Sequence, residues 1–354
     1  MKIPEFKDNG FMVNEAFPIN NVAHLSLGIA LDAYVSTFKD ISGNIFLFTE
    51  KSKYSNSQLY GGGYVKHACE SITHFQHFAE LYIKDILENV HPLLVVDVGS
   101  KHSLLYDLIN RNPYDKDEID KLQKIEFSVA LERICELITK GKIDAQYSFI
   151  KDYKSSLSKI NNLRNRIAHR GIYILEYESL DELFGIHILP FLNEVLMIDS
   201  SYKKDYIFRK TKGGLIPFQE IINLFSSKGK YDIKKIGLLK EIARAVGNDD
   251  IYEAPYMQFF NNEKIAKINA LAEFEEEQGL GSAEVDECPI CKQKTFVIYT
   301  ERESEDDEYG TPINAWEYVY EAKCVHCTFE LNHRMNDIKI DGFDTSKYIK
   351  YKQL

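Results

Sequence analysis

The sequence predicts a mainly α-helical protein, in which a bundle of helices is followed by a helical connecting region and a small β-module. Three observations predict it. Apolar residues recur at three- and four-residue spacing over long stretches between residues 61 and 200, the period of an amphipathic helix. Shorter stretches of this kind occupy residues 215–280. Near the C-terminus, two Cys-x-x-Cys pairs flank segments in which apolar and polar residues alternate, as in strands.

Length and composition limit the class of protein. The chain has 354 residues, of which 44% are hydrophobic, enough for a sizeable core and for more than one domain. No apolar run approaches the roughly 20 residues of a membrane span, and the N-terminus lacks the apolar core of a signal peptide. We therefore expect a soluble, cytoplasmic protein with no membrane partner. The net charge of −11 excludes a general nucleic-acid coat, so any RNA contact requires a local basic site.

The predicted organisation has four consecutive segments. Within the first, residues 22–38 suggest a helix that Gly28 weakens, and residues 46–48 suggest a short strand before a polar loop. The segments are an N-terminal elaboration at 1–60, a helical bundle at 61–200, a helical connecting region at 201–280 and a metal-binding module at 281–354.

Four helical patterns make up the predicted bundle. They cover residues 64–90, 122–140, 144–168 and 179–198, and short connections between them are typical of a bundle. The fourth begins with a capping box at Ser179 and contains a predicted bend at Pro190. The apolar stripes of the first two helices comprise Ala68, Ile72, Phe75, Ala79, Tyr82, Ile83 and Ile86, then Ile125, Val129, Ile134 and Leu137.

A polar motif ends the third helix, where residues 161–171 read Asn-Asn-Leu-Arg-Asn-Arg-Ile-Ala-His-Arg-Gly. Arg164 lies on the apolar stripe that continues to Ile167. A charge on a buried face is costly without a partner, so Arg164 should face a groove, a carboxylate or another subunit. His169 lies about 140° further around the helix, so a shared site requires Arg164 to reach round or the helix to unwind near Gly171.

This Arg-Asn-x-x-x-His motif, at the end of an amphipathic helix in a helical domain, resembles the motif of the HEPN superfamily (higher eukaryotes and prokaryotes nucleotide-binding). Many HEPN proteins are metal-independent ribonucleases of toxin and antiphage systems, and others are catalytically inactive adaptors. The resemblance implies that Arg164 binds and stabilises the scissile phosphate, that His169 is the general acid/base, and that Asn165 orients the phosphate or the histidine. It also implies an RNA substrate and a homodimer in which two motifs form one cleft.

An earlier helix offers a further candidate. The run Ala-Glu-Leu-Tyr-Ile-Lys-Asp-Ile-Leu at residues 79–87 resembles a helix that precedes the Arg/His motif in several HEPN families. By that resemblance, Glu80 would line the active site. The alternative is an ordinary ion pair between Glu80 and Lys84, four residues apart. For the motif itself, the alternative is a helix end that carries Arg166, His169 and Arg170 because cations suit the negative end of a helix dipole.

The cysteine pairs form the most specific motif in the chain. Each of Cys288-Pro-Ile-Cys291 and Cys324-Val-His-Cys327 presents two thiolates on one side of a tight turn, and together they complete a tetrahedral zinc site. Four cysteines leave no open coordination position, so we expect a structural zinc. His326 and His333 are the alternatives if one cysteine is not a ligand.

The segment between the cysteine pairs resembles a zinc ribbon, with strands at 296–300 and 316–320 around an acidic loop at 301–308. An acidic loop favours recognition of a protein over contact with RNA. A protein partner or trigger is therefore expected to bind through the ribbon.

Two functions follow from these observations. The first is a metal-independent endoribonuclease that cleaves single-stranded RNA or tRNA, leaves a 2′,3′-cyclic phosphate and acts as a homodimeric toxin or antiphage effector. The second is a non-catalytic adaptor or sensor that binds a protein or a nucleotide. Transcription regulation through residues 238–247, which resemble the start of a helix-turn-helix, is disfavoured by the acidic chain.

Overall fold

The computed structural model of the chain describes a defined set of residues, within which no helix has the length and apolarity needed to cross a bilayer. The described residues are 22–99, 102–110, 112–113, 122–170, 173–198, 208–227, 229–248, 282–306, 309 and 312–353. The predicted helix at 263–278, the first 21 residues and Gly171 lie outside them.

Most of the regular structure is α-helical, as predicted. The α-helices are α1 (Val22–Ser42), α2 (Asn56–Leu59), α3 (Gly62–Val90), α4 (His102–Ile109), α5 (Phe127–Thr139), α6 (Phe149–Arg170), α7 (Tyr177–Glu182), α8 (Leu189–Ile198), α9 (Pro217–Ser226) and α10 (Ile233–Asn248). A π-helical segment, Leu183–Ile188, joins α7 to α8, and a 3-10 helix covers Ile45–Lys53.

The strands form three antiparallel sheets, of which the largest lies at the C-terminus, as predicted. The strands are β1 (Val96–Asp97), β2 (Gln123–Lys124), β3 (Ser282–Glu287), β4 (Lys294–Asp306), β5 (Pro312–Cys324), β6 (Glu330–Asn332), β7 (Lys339–Ile340), β8 (Phe343–Asp344) and β9 (Tyr351–Gln353). Strands β3, β4, β5 and β6 are neighbours in that order, and β9 also pairs with β5.

Helical periodicity predicts α3 and α6 well and three other features poorly. Every residue of the predicted α3 stripe is buried. In contrast, Val129 in α5 is 44% exposed and does not face inward. The predicted strand at 46–48 is part of a 3-10 helix, because its backbone bonds locally, with the Leu47 N–H donating to the Asn44 carbonyl at 2.9 Å.

The predicted capping box at Ser179 is wrong, because the helix begins two residues earlier, at Tyr177. Tyr177, Leu180 and Phe184 are all fully buried, and this helical stripe fixes the start of α7. The bend predicted at Pro190 takes the form of the π-helical segment that precedes it. Proline lacks an N–H and its ring collides with the carbonyl four residues back, so a widened turn relieves the strain.

Contacts divide the chain into two compact units, each described here for its described residues alone. The first unit comprises Met1–Leu31 and Cys69–Ile174, and the second comprises Asp32–Ala68 and Leu175–Leu354. The predicted division into four consecutive segments stays a prediction.

In the first unit, α5 packs against α6 through their apolar faces. Ile134 of α5 and Ile150, Leu157 and Ile160 of α6 are almost completely buried. The apolar stripe of α6 therefore ends in the core one turn before Arg164, which places the polar motif at the margin of the packed region.

In the second unit, an ion pair lies inside an aromatic core. The ammonium of Lys240 (α10) contacts the carboxylate of Asp181 (α7), and neither side chain has any exposed surface. Lys240 Nζ also donates to Thr37 Oγ1 at 3.0 Å and lies 4.2 Å and 4.0 Å from the ring centroids of Tyr34 and Tyr177. The charge is thus enclosed by one carboxylate, one hydroxyl and two aromatic faces.

Two helix-interior glycines offer a matched test of this packing. A Cβ at Gly237 in α10 would overlap the buried ring of Phe38, whereas a Cβ at Gly28 in α1 meets nothing within 4 Å. We expect Gly237→Ala to lower the free energy of unfolding by about 1–3 kcal/mol through overpacking. Gly28→Ala should raise it by about 0.5–1 kcal/mol, because alanine favours the helix. Urea unfolding midpoints test both, and a Gly237→Ala midpoint above wild type would contradict the close approach.

Candidate functional site

The four paired cysteines converge at one end of the C-terminal sheet. All four are buried and unpaired by disulfides, and their sulfur atoms lie within 4.8 Å of one another. The Sγ atoms of Cys288 and Cys327 are 3.6 Å apart, and those of Cys291 and Cys324 are 3.7 Å apart. A disulfide would bring two sulfurs to about 2.05 Å. The cysteines are therefore positioned to hold a metal ion.

The sulfur separations fit a tetrahedral thiolate site. Metal–sulfur bonds of about 2.3 Å, as in zinc sites, place the corners of a regular tetrahedron about 3.8 Å apart. Hydrogen bonding from Cys288 holds the pKa of Cys291 well below the usual thiol value, which favours the thiolate that a metal requires. Within the described residues the group contains neither His326 nor His333, the two alternatives.

The two cysteine turns have the same backbone geometry. The N–H of the first cysteine donates to the carbonyl five residues later in both turns: Cys288 to Gln293, and Cys324 to Phe329, each at 2.8 Å. The residue after the second cysteine is left-handed in both, with φ of 60° at Lys292 and 61° at Thr328. Two similar turns therefore present their thiols to a common centre.

Backbone and side-chain donors also point at the sulfurs. The N–H groups of Ile290 and Cys327 lie 3.4 Å from the Sγ atoms of Cys288 and Cys324, respectively. Thr295 Oγ1 lies 3.2 Å from Cys324 Sγ. Such donors disperse the negative charge of metal-bound thiolates.

A second polar cluster surrounds Arg164 in the first unit. Arg164 is half-buried, and its Nη1 donates to Asn165 Oδ1 at 3.1 Å. Its Nε is buried and has no hydrogen-bond partner among the described residues. A buried donor without a partner costs about 1–3 kcal/mol, and an anion that accepts from it would remove this cost.

His169 is placed differently from Arg164. Its side chain is exposed, and no hydrogen bond or ion pair joins it to the rest of the described chain. Helix α6 continues through Arg170, so the expected unwinding before His169 does not occur. In a regular helix the two side chains point about 140° apart. One chain alone therefore does not bring Arg164 and His169 into a shared site.

Glu80 lies in a hydrogen-bonded chain that reaches the motif helix. Lys84 Nζ donates to Glu80 Oε1 at 2.6 Å, so the ion pair expected as the alternative is present. Gln76 Nε2 donates to Glu80 Oε2 at 3.1 Å and to Asn161 Oδ1 at 3.3 Å. Asn161 precedes Arg164 by one helical turn. Glu80 thus connects to α6 through Gln76, and its place in an active site stays a prediction.

His77 is a residue of this cluster that sequence reasoning did not select. Its Nδ1 lies 2.8 Å from Ser26 Oγ, which orients the ring. Partial burial lowers the pKa of His77, and nearby positive groups including Arg164 lower it further, while Glu80 opposes the shift. The ring is therefore neutral at pH 7 and able to accept a proton. Its three-residue spacing from Glu80 on one helix face was the available signal.

The sequence matches no family model, and no curated protein or solved structure matches it significantly. The resemblance to the HEPN superfamily therefore rests on the motif residues themselves. Its consequences for function are a proposal.

Proposed function

We propose that the chain is a HEPN-like, metal-independent endoribonuclease that acts as a homodimer on single-stranded RNA or tRNA. The observation that carries this proposal is the half-buried Arg164, whose Nε lacks a partner among the described residues. A guanidinium with free donors fits the oxygens of a phosphodiester. Asn165, already in contact with Arg164, would keep the guanidinium in place.

The proposed reaction is an internal transfer at phosphorus. The ribose 2′-hydroxyl loses its proton to a base, and its oxygen forms a bond to the neighbouring phosphorus. The bond from phosphorus to the 5′-oxygen breaks, and that oxygen takes up a proton. Arg164 would stabilise the negative charge that develops on the phosphate, and His169 would exchange the protons. The products are a 2′,3′-cyclic phosphate and a free 5′-hydroxyl.

A homodimer would supply what one helix lacks. Because Arg164 and His169 point in different directions on α6, a phosphate held between two copies can meet the guanidinium of one and the imidazole of the other. Both motifs would then form one cleft. The net charge of −11 fits an enzyme that meets RNA only at such a local basic site.

We also propose that the ion at the four cysteines is zinc with a structural role. Zinc prefers tetrahedral thiolate coordination, and four cysteines leave no open position for catalysis. The roles of toxin or antiphage effector follow from the HEPN resemblance alone.

Substitutions in α6 test the nuclease. Arg164→Ala and His169→Ala should each lower the rate of RNA cleavage by about 100-fold or more, because each removes a group that acts in the transition state. The full-length proteins would be assayed on a labelled single-stranded RNA and on tRNA, and the product ends identified by mass spectrometry.

Arg166→Ala is the matched control. Arg166 lies on the same helix, is exposed and stacks over Tyr173 at 3.5 Å from the ring centroid, so the substitution removes the same charge elsewhere. Its cleavage rate should stay within about threefold of wild type, because a solvated charge contributes little. Equal rates for all three variants would contradict the assignment, as would products that carry a 5′-phosphate.

A non-catalytic adaptor or sensor is the second candidate. The exposure of His169 favours it, since within the described residues nothing orients the ring for proton transfer. A chain of this kind would cleave neither RNA, and the Arg164→Ala substitution would change binding or dimerisation without changing turnover.

A further inference from the structure

The C-terminal sheet contains a cavity that is separate from the cysteine group and from the α6 motif. Its volume is about 650 Å³. The residues that matter for its chemistry are Glu303, Trp316, Tyr318, His333, Asp337 and Tyr351. Aromatic rings and carboxylates thus line the same space.

Strand pairing places these side chains in adjacent columns. Glu303 is directly opposite Trp316, and Glu301 opposite Tyr318, across β4 and β5. Tyr318 is opposite Tyr351 across β5 and β9. Side chains of directly opposed residues lie on the same face of a sheet. A column of carboxylates therefore runs beside a column of aromatic rings.

Hydrogen bonds hold this face in one arrangement. Trp316 Nε1 donates to one oxygen of Glu303 at 3.0 Å, and the Tyr318 hydroxyl donates to the other at 2.9 Å. The Tyr318 hydroxyl also lies 3.2 Å from Glu301 Oε2. The hydrogen bond to Glu303 raises the pKa of Tyr318 to about 12, so the phenol stays protonated. Glu303 thus remains an oriented anion with acceptor capacity to spare.

The rim of the cavity adds a carboxylate without a partner. Asp337 forms no hydrogen bond or ion pair with any other described residue. The His333 ring meets Tyr318 edge to face, with centroids 6.4 Å apart. Lys350 is the one lysine or arginine among the described lining residues, and its side chain is exposed and able to turn towards solvent. The cavity therefore presents a negative potential beside aromatic faces.

We propose that this face binds a lysine or arginine side chain of a basic protein segment. An ammonium or guanidinium is attracted to the faces of Trp and Tyr rings and is neutralised by carboxylates at the same point. A cavity of about 650 Å³ lies within the range of ligand sites, and it accommodates one such side chain together with part of its neighbouring chain. Stacked RNA bases would use the same rings, but their phosphates would meet Glu301, Glu303 and Asp337.

The binding of a basic segment is independent of the nuclease proposal, because none of its residues belongs to the α6 cluster. The two proposals therefore fail or succeed separately.

The lone tryptophan of the chain makes the test direct. Since Trp316 is the single tryptophan, the intrinsic tryptophan fluorescence of the full-length protein reports on this cavity alone. Titration with pentalysine at about 0.15 M salt, which screens long-range attraction, should change the emission saturably. Pentaglutamate should leave it unchanged.

Charge-neutral substitutions on the two faces of the sheet provide the matched comparison. Glu303→Gln should weaken pentalysine binding by about tenfold, because it removes the central carboxylate. Glu317→Gln removes the same charge on β5 from the opposite face, where Glu317 bonds Arg302 at 3.0 Å, and its affinity should stay within about twofold of wild type. Asp337→Asn, at a residue without a partner in the described chain, should weaken binding by about threefold without affecting the fold.

Three results would overturn the proposal. Equal weakening by Glu303→Gln and Glu317→Gln would mean that a polycation is attracted to the acidic chain as a whole. Oligouridylate that saturates the Trp316 signal at lower concentration than pentalysine would identify an RNA-stacking surface instead. A signal unchanged by pentalysine would mean that the cavity binds no basic segment. Because Asp337 lies in a loop, its variant keeps the test valid if Glu303→Gln misfolds.

Discussion

Replacing Cys288 with serine is expected to abolish metal binding and to unfold the C-terminal sheet. Structural zinc contributes about 10–16 kcal/mol in small thiolate domains, and little else holds such a β-unit together. The sheet's own aromatic core centres on Phe296, whose ring stacks near Phe329 at 5.9 Å and meets Tyr348 edge to face at 5.5 Å. Removing one of four ligands should therefore cost more than this core returns.

Metal content and tryptophan emission measure the effect. Wild type should contain about one zinc per chain by mass spectrometry, and Cys288→Ser less than about a tenth of that. The emission of Trp316, on the same sheet, should shift to longer wavelength as the sheet opens. Cys69→Ser is the control, because Cys69 is a free, half-buried cysteine of α3 outside the group. Equal zinc content in both variants would contradict the four-cysteine site.

Local patterns in the sequence predict those parts of the fold that local energetics determine. The α3 stripe repeats with the helical period for several turns, and its burial follows from that repeat alone. The cysteine pairs likewise define two turns at fixed spacing, whose convergence the metal site requires. In the cluster at α6, the burial of Arg164 on an apolar stripe was predictable for the same reason.

Features that depend on distant contacts could not be predicted in this way. Asp181 reads as a helix-capping residue in sequence but pairs with Lys240, and only the packing of α7 on α10 puts the two together. The aromatic and acidic columns depend on the register of β5 with both β4 and β9, which periodicity does not specify. The state of His169 depends on how far α6 continues, and helix ends are the least predictable part of a helix.

Replacing Lys240 with methionine should lower the free energy of unfolding of the second unit by about 3–5 kcal/mol, because it leaves the Asp181 carboxylate buried without its cation. Methionine matches the length of the lysine chain, and Thr37 Oγ1 keeps its bond to the Tyr34 carbonyl at 2.6 Å. The loss would therefore come from the uncompensated charge rather than from a cavity. Denaturant unfolding of the full chain measures it.

The double substitution separates the pair from its members. Asp181→Asn with Lys240→Met removes both charges, and the asparagine oxygen still accepts from Tyr231, whose hydroxyl lies 2.8 Å from Asp181 Oδ2. We expect the double variant within about 1 kcal/mol of wild type, since neutral replacement of a buried ion pair relieves its desolvation. The resulting coupling energy should exceed about 2 kcal/mol.

The pKa shifts of the pair give the sign of its pH dependence. Burial lowers the pKa of Lys240 to about 8 from 10.5 and raises that of Asp181, so each charge is disfavoured more by desolvation than it is favoured by its partner. Between pH 8 and 10.5 the unfolded chain holds the lysine proton more strongly, so wild-type stability should rise with pH relative to the double variant. Below pH 8 the full cost of burying the ammonium is present. A Lys240→Met variant as stable as wild type, or a difference that is flat across this window, would mean that the ammonium is not buried as an ion pair. The role of the pair would then be packing alone, whereas a large coupling would mean that it selects the one register of α7 on α10 in which both charges are matched.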